Sequence, residues 1–370
     1  MKRLLKAFGL THLLLALQLI LVAAPAFAQP QNGSVSLSAG RKIFYRTVTA
    51  KPGMPTLLLA NGLIYDLKNW DPFIALCESK GYGVIQFAFS AQPESLRLLK
   101  GARPDFLDKG LELKDLADEF HAVYRAAKVT GKVELVTLSY GSIAAEFVRL
   151  HPELVERMII MAPLVVPSDR YDPNGQLLHF WLDGWRNAAH WFDPFGLWSA
   201  TWYNYAWDII YGNFLQQRMD AKASMDPNYV PEGVSAEVYK KSVFHLVRAA
   251  RDFDLKEYAK RVALPPVHLM IASEEEKPAL NDQLAFWEKL PVREQATIAL
   301  FAPAYHALAG ANPIESYAWM DYVLDGKTAP KAGSAFIIHT GEKPTAERLS
   351  YPQLKQRLNA AVVEIQHGSH

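Results

Sequence analysis

Cysteine is almost absent. Cys77 is the only one in 370 residues, so neither an intrachain disulfide nor a zinc site of paired cysteines can form. It sits in an apolar, helix-like stretch and reads as a buried core thiol. No histidine falls in an H-E-x-x-H or comparable ligand spacing, and neither a metal nor an organic cofactor is expected. His339-Thr340-Gly341-Glu342-Lys343-Pro344 matches the linker between zinc fingers letter for letter, but a chain with one cysteine cannot build the finger, so the match is chance. Long like-charge runs are lacking too. With 39 basic against 38 acidic residues and no basic patch, nucleic acid is not an expected partner. After the first 28 residues no apolar segment approaches the length of a membrane span.

Those first residues do carry a signal. Lys2, Arg3 and Lys6 precede an apolar stretch over 10–24, followed by Pro25-Ala26-Phe27-Ala28. A charged start, a short apolar core and small residues at −3 and −1 predict a secretory leader, residues 1–28, cleaved after Ala28. The expectation is an exported protein, periplasmic or secreted and of bacterial type. Loss of three basic side chains would leave it close to neutral.

Downstream, short apolar and β-branched runs at 41–49, 55–60, 82–89, 132–138, 157–162, 266–272 and 296–302 predict strands. The later ones are continuously hydrophobic, as strands buried on both faces of a parallel sheet are. Helical patterns fall between them at 70–80, 113–127, 140–150, 281–290 and 313–323. Such alternation predicts an α/β fold, a mostly parallel sheet flanked by helices. It breaks over 166–263, where helical signals occur without strands, predicting an inserted helical cap. Trp181, Trp185, Trp191, Trp198, Trp202 and Trp207, six of nine tryptophans, lie there. They suit either the packing of a small lid or an apolar substrate pocket. From Asp325 the chain turns polar and rich in glycine and proline, and 326–370 reads as a C-terminal appendage.

The sharpest chemical signal is Val133-Glu134-Leu135-Val136-Thr137-Leu138-Ser139-Tyr140-Gly141-Ser142, a strand running into a helix with serine at the junction. An ordinary helix N-cap would look the same locally. The segment resembles the nucleophile elbow of the α/β-hydrolase superfamily, where serine sits at a strained turn above the sheet. Further similarities follow in order: His151-Pro152-Glu153-Leu154-Val155, then strand 158–161, and, after the cap, strand 267–271 ending in Ala272-Ser273-Glu274-Glu275. Strand 297–301 then leads to Ala304-Tyr305-His306 and a helix start, with Asn312 read as N-cap, Pro313 as N1 and Glu315 as capping-box partner.

The resemblance implies Ser139 as nucleophile, His306 as general base and Glu275 as the acid that orients it, in the superfamily's chain order. Glu274 and Glu276 adjoin Glu275 and remain alternatives for the acid. It further implies an oxyanion hole from the backbone N–H groups of Leu63 and Tyr140. Leu63 follows Asn61-Gly62, where relatives show His-Gly, and Trp70 occupies an often aromatic position. Departures gather around the site. Thr137 stands where glycine is usual, Tyr305 precedes the histidine, and Ala88-Phe89-Ser90-Ala91-Gln92-Pro93-Glu94-Ser95 replaces the common Asp-x-x-Gly-x-Gly-x-Ser turn.

The expected core is 29–165 with 264–325. The expected activity is carboxylesterase- or lipase-like cleavage of a small acyl substrate with an apolar group. Thioester, amide or lactone cleavage and acyl transfer would use the same residues. The contrasting expectation is a non-catalytic binding protein of the same fold that uses the aromatic cap.

Overall fold

Apolar side chains alternate along nearly every central strand, and the two sets they form build two separate cores. Leu58, Ala60, Val133, Leu135, Met158 and Ile160 face one core, while Leu57, Leu59, Val136, Leu138, Ile159 and Met161 face the other. A strand's side chains point to opposite faces with period two, so these runs require cover on both sides. The computed structural model, which describes residues 30–38, 40–167, 231–275, 277–291, 296–325, 330–331 and 333–358, supplies it. The expected leader 1–28, Glu276, the last residues of the tail and most of the expected cap, including its six tryptophans, lie outside the described residues.

Ten strands form one sheet: β1 (Gln31–Ser36), β2 (Lys42–Val48), β3 (Thr56–Ala60), β4 (Gly83–Ala88), β5 (Val133–Leu138), β6 (Val155–Met161), β7 (Val267–Ala272), β8 (Thr297–Ala302), β9 (Ala335–His339) and β10 (Thr345–Leu349). Their order across the sheet is β1-β2-β4-β3-β5-β6-β7-β8-β9-β10. Neighbours from β4 through β9 are parallel, and the pairs β1/β2, β2/β4 and β9/β10 are antiparallel. Every parallel neighbour thus ends at the same edge of the sheet, where the chain can gather residues from distant segments.

The described helices include α1 (Asp71–Lys80), α2 (Leu113–Ala126), α3 (Ala145–Leu150), α4 (Ala236–Ala249), α5 (Leu255–Arg261), α6 (Lys277–Lys289) and α7 (Pro313–Leu324). Helices α1 and α7 cover one face through Phe73, Cys77, Trp319, Met320 and Val323. Helices α2, α3, α5 and α6 cover the other through Leu116, Phe120, Phe147, Leu255 and Trp287. Local chemistry sets their ends. Helix α1 stops at Gly81, whose φ of 103° lets its N–H reach the carbonyls of Cys77 and Glu78. Helix α2 opens with a reciprocal capping box between Glu112 and Asp115, then buries Leu116, Phe120, Val123 and Tyr124 at helical spacing.

Three expectations need correction. The expected appendage at 326–370 is not separate, since β9 and β10 extend the core sheet, with β9 buried beside β8. The expected cap at 166–263 is helical where described, but α5 belongs to the layer that flanks the sheet. Its Leu255 and Ala259 enter the core and Tyr258 Oη donates to Glu146 at 2.8 Å. Finally, Glu315 makes no capping box with Asn312, whose side chain caps nothing. Glu315 turns to the final strand pair instead, accepting from the Gly341 N–H at 3.2 Å, because β9 brings an unpartnered amide within its reach.

Candidate active site

Strand β5, central in the sheet between β3 and β6, delivers Ser139 at its carboxyl end. The serine backbone is left-handed, φ 53°. An N-cap residue ordinarily keeps an extended backbone, so the cap reading does not describe this serine, which is already the first residue of a helical turn, Ser139–Ala144. The left-handed well costs a residue with a Cβ about 1–2 kcal/mol, and such strain persists only where the surroundings impose it. Those surroundings are tight. A Cβ on Gly141 would stand 2.4 Å from the Ala60 carbonyl oxygen of β3, so only glycine lets the turn pack against that strand. The turn is pinned from the other side by the Leu164 N–H donating to the Ser139 carbonyl at 3.0 Å and by Ser142 Oγ donating to the Leu164 carbonyl at 2.6 Å. Thr137 is fully buried one pleat before, between Ala60 and Ile160.

Glu275 follows β7 and His306 follows β8, and the two side chains meet: His306 Nδ1 lies 2.6 Å from Glu275 Oε1. The two loops are stitched together beneath that contact. Ser273 N–H donates to the Phe301 carbonyl at 3.0 Å, Glu274 N–H to the Ala304 carbonyl at 2.9 Å, and Ala304 N–H to Ser273 Oγ at 3.2 Å. Of Glu274 and Glu275, Glu275 is the one in contact with the imidazole; the Glu274 carboxylate instead accepts from Ser273 Oγ at 3.2 Å. With Nδ1 engaged, the imidazole has Nε2 left for other chemistry. Among the described residues no hydrogen bond joins Ser139 Oγ to His306.

The loop after β3 completes the edge. A Cβ on Gly62 would lie 3.8 Å from Ser139 Cβ, so this loop runs directly beside the serine. Asn61, at the position where the sequence departs from histidine, is buried and accepts from Trp70 Nε1 at 3.0 Å, while its amide donates to the Tyr65 carbonyl. The Leu63 N–H has no acceptor among the described residues. The Tyr140 N–H is one of the first-turn amides that an α- or 3₁₀-helix cannot satisfy internally, and no side chain caps it.

Neither a protein-family model nor a curated protein sequence matches the chain. Solved structures do. An α/β hydrolase from Nostoc sp PCC 7120 superposes with a TM-score of 0.52 at 14% identity, over 81% of this chain and 99% of that one. A carboxylesterase of the thaumarchaeon Nitrososphaera gargenis does so with a TM-score of 0.50 at 13% identity, over 78% and 96%. The chain has the α/β-hydrolase fold. Within this fold, the sequence-predicted residues Ser139, Glu275, His306, Leu63 and Tyr140 all fall at the carboxyl edge of the parallel strands, the edge where such sheets bind ligands.

Other residues of this site escaped the sequence reading. Gln92 is 2% exposed and bonds the loop that carries Leu63. Glu119, buried in α2, accepts from Ser90 N–H at 2.9 Å, from Ser90 Oγ at 2.5 Å and from Arg41 Nη1 at 3.3 Å. Burial pushes its carboxyl up to about 7. The Tyr140 hydroxyl, its proton also held tightly by burial, donates to the Leu246 carbonyl and ties α4 to the serine turn. Partly buried Tyr65, pushed up to about 12 by desolvation, packs its hydroxyl against Gly310. None of these carries a motif; long-range pairing alone reveals them. Two large apolar side chains stay exposed next to site residues, Ile64 after Leu63 and Tyr305, 70% exposed, before His306.

Proposed function

We propose that the chain is an exported serine hydrolase cleaving an ester or related acyl bond, with carboxylesterase- or lipase-like substrates carrying an apolar group. The observation that carries this reading is the left-handed Ser139 at the end of β5, a strained backbone with no structural purpose in an ordinary cap. In this reaction His306 Nε2 takes the Ser139 Oγ proton as Oγ attacks the acyl carbonyl. Glu275 fixes the tautomer and steadies the imidazolium through the 2.6 Å contact. The Leu63 and Tyr140 N–H groups stabilise the oxyanion, and as donors already fixed they need no reorganisation. Collapse breaks the C–O bond of the leaving alcohol, which receives the proton from His306. Water then attacks the acyl-enzyme by the same route, releasing the acid and restoring the serine. Exposed Ile64 and Tyr305 suit an apolar acyl or alcohol group. Among the described residues no helix is long and apolar enough to cross a membrane.

The missing Ser139–His306 hydrogen bond favours a second reading, a binding protein of this fold without turnover. Labelling the mature protein with a fluorophosphonate, beside Ser139→Ala and His306→Ala, separates the two. Adduct formation lost in both variants supports the hydrolase, and p-nitrophenyl esters of increasing length then define the acyl group. Silence of the folded wild type, while a control hydrolase reacts, supports the binding protein.

A further inference from the structure

The proposed oxyanion donor Leu63 N–H belongs to the peptide unit whose carbonyl is that of Gly62. In a planar trans peptide the C=O and N–H point in opposite directions, so whatever holds the Gly62 carbonyl also aims the Leu63 N–H. That holder is Gln92. Its Nε2 donates to the Gly62 carbonyl at 2.7 Å and to the Leu63 carbonyl at 3.1 Å. Its Oε1 accepts from the Phe89 N–H at 3.0 Å and from Asn61 Nδ2 at 3.5 Å. All four hydrogen-bonding positions of the amide are used, and the amide cannot be turned over, since that would set oxygen against two carbonyls and N–H against N–H.

The clamp is anchored in its turn. The Gln92 N–H closes back on the Phe89 carbonyl at 2.8 Å, Ser90 is fastened to Glu119 and Arg41 through the bonds described above, and Ser95 Oγ donates to the Ala88 carbonyl at 2.7 Å. These residues lie in the segment that replaces the family's glycine-rich turn.

We infer that Gln92 is a positioning residue of this hydrolase: it orients the Gly62–Leu63 peptide and, by bonding its carbonyl, polarises the Leu63 N–H toward the oxyanion. A bond accepted by the carbonyl draws charge from the amide and strengthens the donor at its other end. The inference rests on the serine-hydrolase reading for its catalytic consequence, while its geometric content is independent of turnover.

The test uses the mature chain with Gln92→Glu and Gln92→Met. The first places a carboxylate oxygen against two carbonyls, and the second keeps the length without any donor. Fluorophosphonate labelling rates are measured between about pH 5.5 and 8.5, with urea midpoints for each variant and the leucine-labelled ¹⁵N amide resonance of Leu63. At the alkaline end both variants should label at least about tenfold more slowly than wild type while still folded. Relative to wild type at the same pH, Gln92→Glu should recover on acidification, because a protonated carboxyl again donates to one carbonyl, and Gln92→Met should not. The Leu63 resonance should move in both. Labelling within about twofold of wild type, or a slow rate that follows only the unfolded fraction with Leu63 unmoved, would overturn the inference. If wild type itself does not label, the hydrolase reading fails, and the Leu63 resonance alone decides whether Gln92 sets this peptide.

Discussion

Replacing Ser139 by glycine should stabilise the protein while abolishing its chemistry. At φ 53° the serine pays for its Cβ by about 1–2 kcal/mol, and glycine removes that strain. Glycine also loosens the unfolded chain, which returns about 0.5–1 kcal/mol of the gain. The expected net is a gain of about 0.5–1 kcal/mol for Ser139→Gly over wild type. Ser139→Ala keeps the Cβ and therefore the strain, so it should sit within about 0.5 kcal/mol of wild type. The sign is diagnostic, because at an ordinary helical or extended position glycine is the less stable of the two. Lys128, exposed just beyond α2 with φ 54°, supplies the control: Lys128→Gly should stabilise similarly and leave fluorophosphonate labelling intact. Urea unfolding with unchanged m-values measures all three. If Ser139→Gly proves less stable than Ser139→Ala, the left-handed backbone is not what the sheet imposes, and the argument for an elbow fails.

The close approach at Gly310 gives a coupled prediction. A Cβ there would stand 2.2 Å from Tyr65 Oη, 3.1 Å from the Asn69 carbonyl oxygen and 3.3 Å from Tyr65 Cζ, so Gly310→Ala should cost about 1–3 kcal/mol alone and less with Tyr65→Phe, where only the two milder contacts remain, a coupling that urea unfolding of the double-mutant cycle measures. Acid stability should depend on His245, which burial holds down at about 4. Its unfolded value is near 6.5, so the folded state loses stability as pH falls from 6.5 to 4 and the loss saturates below. Across that window His245→Leu should lose about 2–3 kcal/mol less than wild type, read from urea midpoints at each pH. His268, also held at about 4, adds to the slope in both proteins, whereas Glu119, raised to about 7, opposes it between 4.5 and 7 in both. Cys77, fully buried with its thiol pushed up by desolvation, should resist a disulfide reagent in the native protein and react in step with global unfolding monitored by fluorescence.

How far the sequence reached follows from where the information lay. The central strands were legible because burial on both faces leaves mostly apolar residues, as in Thr297–Ala302 and Val267–Ala272, where Thr297 and His268 are the polar ones and bond each other. The edge strands were not. Gln31–Ser36 and Thr345–Leu349 are largely polar and exposed, pair on one side only, and resemble loops in composition. Ala335–His339 is apolar enough to have been read as a strand, but the glycines and prolines around it suggested a tail. The candidate serine, histidine and acid could be proposed from local motif and chain order, which are properties of single segments. Gln92 and Glu119 were not, because their meaning lies in partners 29–31 residues away in the chain.

That contrast bears on the departures from the superfamily pattern that gather around the candidate site. Asn61 does not simply lack an imidazole; it is a hub between Trp70, Tyr65 and Gln92. The turn without its glycines has become a rigid clamp on the neighbouring loop. A buried polar atom left unpaired costs about 1–3 kcal/mol. Here the polar side chains of Asn61, Ser90, Gln92 and Ser95, in and beside the altered turn, each find hydrogen-bond partners. Thr137 and Glu94 are exceptions, each with a buried side-chain oxygen that finds no partner among the described residues. Paired polar groups beside a serine held in a left-handed backbone fix the geometry of the loop next to Ser139, which is what the serine-hydrolase proposal requires of that loop.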